Sequence, residues 1–159
     1  MTVQPDGVIV SGTPVPDFTL RREDGSEFTQ ADVRGKRTVL VFYPFAFSPV
    51  CTDQLNLYDE ILEEFSEQGA TLYAVSCDAS YSQTAFRERL GVSIEQLSDF
   101  EPKGATCRAF GVYHPGGFPQ RALVIIEPDG VVSWSYQAPS PRHLPGANLI
   151  FDGLAASRQ

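Results

Sequence analysis

The sequence predicts an α/β fold: a central mixed sheet flanked by helices, with a β-hairpin extension at the N-terminus. Three observations predict it. The runs 38–43, 71–76 and 121–126 are dominated by apolar, β-branched and aromatic residues, as strands buried on both faces are. Segments of helical periodicity separate them, and strand–helix alternation implies a sheet covered on both sides. A turn signal, Asp129-Gly130, then returns the third run to an adjacent partner, which makes the sheet mixed.

Residues 1–13 read as a loose lead-in. Asp17-Phe18-Thr19-Leu20 and Ser26-Glu27-Phe28-Thr29 are short strands joined across Asp24-Gly25, and they form the hairpin. Thr38–Tyr43 is the first buried strand. Pro44 to Cys51 carries two prolines and small residues, which make it a loop. From Thr52 to Gln68, Leu55, Tyr58, Ile61, Leu62 and Phe65 recur at helical spacing, and Gly69 stops the helix. Thr71–Ser76 is the second buried strand. Tyr81–Leu90 is a helix ended by Gly91, Gln96–Ser98 a short strand, and Lys103–Phe110 a short helix ended by Gly111. Arg121–Ile126 and Val131–Tyr136 close the sheet. Residues 146–156 form a last helix, which Pro145 and Gly153 interrupt. Strands and helices in this order, behind a hairpin, make the thioredoxin-like plan with an N-terminal extension, as one domain over residues 1–159.

The bulk composition narrows the function. With 159 residues and 42% hydrophobic content, one domain can bury a full core without disulfides or metal. The net charge of −8 argues against nonspecific binding to nucleic acid or to an anionic membrane. No run approaches the roughly 18 apolar residues of a membrane span, and the first residues lack a basic n-region, so no signal peptide is expected. Three cysteines, Cys51, Cys77 and Cys107, fit a reducing cytoplasm better than a secreted disulfide scaffold.

Cys51 carries the chemistry. It follows a buried strand and stands at the first turn of an amphipathic helix. The N–H groups there lack intrahelical partners, and the positive end of the helix dipole favours a thiolate over a thiol. The competing reading is a small apolar residue buried at the base of the helix. Its flanks, Ser48 and Pro49, do not look like core and favour the reactive reading.

Pro44-x-x-x-Ser48-x-x-Cys51 resembles the signature of the peroxiredoxin family. The resemblance extends to Gly12-Thr13-Pro14-Val15-Pro16-Asp17-Phe18-Thr19-Leu20, Ala74-Val75-Ser76-Cys77-Asp78 and Ala109-Phe110-Gly111-Val112-Tyr113, and so covers nearly the whole chain. Phe45-Ala46-Phe47-Ser48 is most similar to the AhpE-like one-cysteine subgroup. The resemblance implies that Cys51 is the peroxidatic nucleophile, that Pro44 shields it, that the Ser48 hydroxyl hydrogen-bonds the peroxide, and that Arg121 holds thiolate and substrate oxygens. With the N–H groups of Val50 and Cys51, Ser48 and Arg121 supply donors where charge develops. Ser48 stands where the family has threonine, and Gln54 where it often has glutamate.

The same resemblance implies a thiol-dependent peroxidase that reduces hydrogen peroxide and organic hydroperoxides and needs no cofactor. Neither Cys77 nor Cys107 holds a resolving position familiar from the family, and both read as packing residues; Cys107, in a short helix, is the one better able to move. A one-cysteine cycle is therefore expected, completed by an external thiol: a low-molecular-weight thiol, thioredoxin or a mycoredoxin-like protein. A homodimer is expected, because Phe45-Ala46-Phe47 is too apolar for open solvent. Asp53-Gln54 deny Cys51 the second cysteine that a disulfide oxidoreductase needs. No Cys-x-x-Cys or His-x₃-His spacing exists, so no metal is expected, and His114 reads as a solvated loop residue. A redox sensor or a holdase chaperone on the same scaffold is the non-enzymatic alternative.

Overall fold

The computed structural model describes residues 7–156. Its strands are β1 (Thr19–Arg22), β2 (Glu27–Thr29), β3 (Arg37–Phe42), β4 (Ala70–Ser76), β5 (Glu95–Ser98), β6 (Tyr113–His114), β7 (Phe118–Pro119), β8 (Ala122–Ile126) and β9 (Val132–Gln137). Its helices are α1 (Pro49–Glu60), α2 (Leu62–Glu67), α3 (Ser80–Leu90), α4 (Ala105–Ala109) and α5 (Ala147–Ala156). Seven strands form one sheet in the order β2-β1-β5-β4-β3-β8-β9. β4 runs parallel to β3 and β5, while the pairs β1–β2, β1–β5, β3–β8 and β8–β9 are antiparallel. The sheet is mixed, as expected from the closing hairpin.

Alternation along β3 divides the core. Leu40 and Phe42 join one apolar cluster with Leu20, Phe28, Val75 and Phe110. Val39, Val41 and Tyr43 join the other, with Leu55, Tyr58, Phe65 and Phe86. All are fully or almost fully buried. A strand whose two faces both enter a core must be apolar throughout, which is why β3, β4 and β8 were legible as continuous runs. The cysteines divide in the same way: Cys51 lies in the second cluster, Cys77 and Cys107 in the first.

Four elements differ from expectation. The helix predicted over 52–68 begins earlier, at Pro49, and is broken at Ile61, whose backbone (φ −120°, ψ 22°) leaves the helical region. Pro49 suits a first-turn position because its missing N–H would have no partner there. The lead-in is not loose throughout. Val8 and Ile9 are fully buried, the Ile9 N–H donates to the Phe110 carbonyl (2.9 Å), and Pro14 bridges Val131. Tyr113–His114 and Phe118–Pro119 form a small separate hairpin that had no strong periodic signal. Gly153 does not interrupt α5. A Cβ there would meet the Trp134 ring at 2.6 Å, so the glycine lets the helix lie close against the sheet.

Candidate active site

The C-terminal end of β3 runs through Tyr43 and buried Pro44 into a short loop and then α1. The loop is held from several directions. The Ala46 N–H donates to Asp78 Oδ2 at 2.8 Å, and the Ser76 hydroxyl donates to the same oxygen at 2.8 Å. The Phe45 ring packs on Phe118 (4.8 Å between centroids), and Phe47 on Phe86 (5.1 Å). Phe47 has φ 70°, the one non-glycine positive φ among the described residues. For a bulky side chain that conformation costs on the order of 1–2 kcal/mol, and these anchors hold it in place. Both rings stay about half exposed, at 46% and 49%.

Cys51 is the third residue of α1 and has no exposed surface. The sequence reading set a reactive thiol against a buried one, and the structure places a buried sulfur against a charged group. Arg121, just before β8 and itself 2% exposed, directs Nη2 at Cys51 Sγ, 3.2 Å away. Two further N–H groups of the fork hold it in place. Nη1 donates to Gln54 Oε1 at 2.5 Å, and Nε donates to the Pro141 carbonyl at 2.8 Å. Gln54 Nε2 in turn donates to the Tyr58 hydroxyl (3.2 Å), which donates to the Pro145 carbonyl (2.7 Å). Burial pushes the Tyr58 phenol up to about 12, so it remains a neutral donor. A buried guanidinium needs hydrogen-bond partners, and here the sulfur, Gln54 and Pro141 each take one N–H of the fork.

Of the residues singled out in the sequence, Cys51 and Arg121 meet directly. Pro44, Ser48 and Arg121 share the wall of an open cavity of about 200 Å³, with Phe45, Val50 and Phe118. Ser48 has a partner within the loop. It is the residue before α1, and its hydroxyl donates to the Phe45 carbonyl (3.0 Å). His114 is not a free loop residue. Its ring stacks on Phe118 at 4.2 Å, and Nδ1 accepts the Gly116 N–H. Sequence reasoning missed Tyr58 and the carbonyls of Pro141 and Pro145. Gln54 and Tyr58, one helical turn apart among apolar neighbours, were a usable sign of a buried polar pair; a loop carbonyl leaves no trace in sequence.

Residues 11–135 match the model of the AhpC/TSA family. The chain belongs to that family. It is a peroxiredoxin, a peroxidase of the oxidoreductase class. Alkyl hydroperoxide reductase E of Mycobacterium tuberculosis (strain ATCC 25618 / H37Rv) is 30% identical over 147 residues, covering 91% of this chain and 95% of the relative. Alkyl hydroperoxide reductase C of Amphibacillus xylanus is 34% identical over 128 residues, covering 76% and 68%. Among solved structures, Enterococcus faecalis AhpC superposes with a TM-score of 0.85 at 26% identity, over 94% of this peroxiredoxin and 92% of that chain. Peroxidoxin BcpB of Mycobacterium tuberculosis gives 0.78 at 26%, over 94% and 96%. The thioredoxin-like architecture expected from the sequence is that of these neighbours.

Proposed function

We propose that Cys51 is the peroxidatic nucleophile of this peroxiredoxin, acting on hydrogen peroxide and organic hydroperoxides in a cycle completed by an external thiol. The observation that carries this reading is the Arg121 guanidinium 3.2 Å from the sulfur, held in place by its bonds to Gln54 and Pro141. A cation fixed there favours negative charge on sulfur and needs no reorganisation when the reaction begins.

In the reaction, the Cys51 thiolate attacks one peroxide oxygen along the O–O axis. An S–O bond forms, the O–O bond breaks, and the departing oxygen leaves with the electron pair as hydroxide or alkoxide, which takes a proton to become water or alcohol. Cys51 is left as a sulfenic acid. Arg121 and the first-turn N–H groups of Val50 and Cys51 face the oxygens as charge shifts. Ser48 has committed its own proton to Phe45, so its oxygen serves as an acceptor for the hydroxyl of an incoming hydroperoxide. Pro44, buried in the wall of the same cavity as Arg121, shields the sulfur from water in this reading.

The sulfenic acid is reduced by a thiol from outside the chain, because Cys77 and Cys107 lie in the other core cluster. A low-molecular-weight thiol, thioredoxin or a mycoredoxin-like redoxin fits this step. A cytoplasmic setting suits three unpaired cysteines; among the described residues, no helix is long and apolar enough to cross a membrane. Half-exposed Phe45, Phe47 and Phe100 are the surface through which a homodimer would form, and light scattering at micromolar concentration tests it. Peroxidase turnover with a panel of reductants tests the whole reading. Cys51→Ser abolishes turnover, while Cys77→Ser and Cys107→Ser retain it. Mass spectrometry after one equivalent of peroxide finds Cys51 oxidised without an internal disulfide. A disulfide between Cys51 and either other cysteine would overturn the one-cysteine cycle.

A further inference from the structure

On the sheet face away from Cys51, three separate elements converge on one point. Cys77 follows β4, Asp99 follows β5, and Cys107 lies in α4. Their two sulfurs and one carboxylate oxygen all lie within 4.8 Å of one another, and all three residues are buried. We infer that Cys77, Asp99 and Cys107 form a binding site for a thiophilic divalent cation, zinc being the best match.

The donor set favours this. Two thiolates with one carboxylate suit zinc and exclude magnesium and calcium, which take oxygen alone. Sulfurs bonded to one tetrahedral zinc lie about 3.8 Å apart, so the existing spacing needs an adjustment of about an ångström at most. The carboxylate is already oriented. Asp99 Oδ1 accepts the Thr106 N–H at 3.1 Å and Oδ2 accepts the Cys107 N–H at 2.8 Å, and the carboxylate also hydrogen-bonds the Cys107 thiol, whose proton a metal would replace. Backbone donors that aim a ligand in this way are what supports protein metal sites. Access is present too. Cys77 borders a cavity of about 290 Å³, whose wall also carries Asp78, Ser82, Phe100 and Lys103. A water from that cavity completes a fourth position. Binding displaces one proton from each thiol, forms two S–metal bonds and one O–metal bond, and changes no oxidation state. The ion ties the ends of β4 and β5 to α4 and shields two thiols from oxidation by the peroxides that Cys51 consumes.

The test uses the full chain carrying Cys51→Ser, so that the reactive sulfur cannot act as a ligand, with a phosphine keeping the thiols reduced. Cobalt(II) is titrated in as a visible probe and then displaced with zinc. The expected result is one cobalt per chain, with thiolate-to-cobalt charge-transfer absorption and tetrahedral visible bands that zinc abolishes. Zinc raises the melting temperature. Adding Cys77→Ser or Cys107→Ser removes the charge-transfer band. Asp99→Asn, which keeps a side-chain carbonyl, weakens binding at least tenfold and serves should a cysteine variant fold poorly. The absence of a thiolate band in the reduced parent overturns the proposal. Binding that persists unchanged through all three substitutions also overturns it, as does closure of the pair to a disulfide in a protein that takes up no metal when reduced.

Discussion

Arg121→Lys separates charge from geometry at Cys51. Both side chains are cationic, but only the guanidinium presents donors in a planar fork. In the structure that fork reaches Cys51 Sγ, Gln54 Oε1 and the Pro141 carbonyl at once. An ammonium placed among these groups keeps a point charge but cannot hold all three directions. The contact that matters to rate is the one to sulfur and to the oxygens that bond with it. A hydrogen bond involving a charged group is worth about 1.5–3 kcal/mol. If that amount is lost only in the transition state, the second-order rate constant with peroxide falls roughly ten- to a hundredfold at about 1.4 kcal/mol per decade. Arg121→Gln, which removes the charge as well, falls further. The assay is rapid-quench mixing with hydrogen peroxide, Cys51 sulfenic acid being counted by mass spectrometry after trapping, and circular dichroism checks the fold. A lysine variant within twofold of the parent rate would refute the argument that the fork, and not the charge alone, activates the site.

Other substitutions probe the supports. Tyr58→Phe removes the donor to the buried Pro145 carbonyl and should cost about 1–3 kcal/mol in urea unfolding, with a smaller loss of peroxidase rate than Arg121→Lys. The same residue sets a pH response: its phenol rises from 10.0 to about 12 on burial, so the folded chain holds this proton when the unfolded chain has lost it. The Tyr58 contribution to stability is therefore full below pH 10 and declines towards 12, by roughly 2–3 kcal/mol, and this part of the alkaline loss should be missing from the pH–stability curve of Tyr58→Phe. At Phe47, glycine should be more stable than alanine by about 1 kcal/mol, because both lose the ring but only glycine accepts φ 70° without strain; equal urea midpoints would contradict the strained-loop reading. Asp78→Asn should raise the mobility of the loop before Cys51, read as faster amide exchange at Ala46, whose N–H the carboxylate accepts.

The sheet was legible because β3, β4 and β8 are apolar on both faces, a pattern that a sequence displays directly. Cys51 and Arg121 were legible for another reason: a cysteine opening a helix and an arginine opening a strand are unusual enough to be noticed, and the motif around Pro44 and Ser48 gave them a context. What escaped was everything fixed by tertiary geometry. Val8 and Ile9 became core because they meet Phe110, which no local pattern records. Ser48 carried the expected hydroxyl, but its proton direction depends on the turn that brings the Phe45 carbonyl within 3.0 Å. Cys77 and Cys107 were read correctly as buried, yet their approach to Asp99 depends on how three elements meet.

The full burial of Cys51 bears on how the site works. The sulfur has no exposed surface, while its partner Arg121 lines an open cavity together with Pro44, Ser48 and Phe118. Burial alone would favour the neutral thiol, because a charge is expensive away from water. Arg121 sets a cation against the sulfur, but a buried guanidinium carries the same desolvation cost, and the sulfur alone does not satisfy it. Gln54, itself held by Tyr58 and Pro145, and the Pro141 carbonyl each take a further N–H. A glutamate at position 54 would add a second anion competing with the sulfur for the same cation. The neutral amide orients Arg121 without drawing its charge away, so Gln54 leaves that charge directed at Cys51.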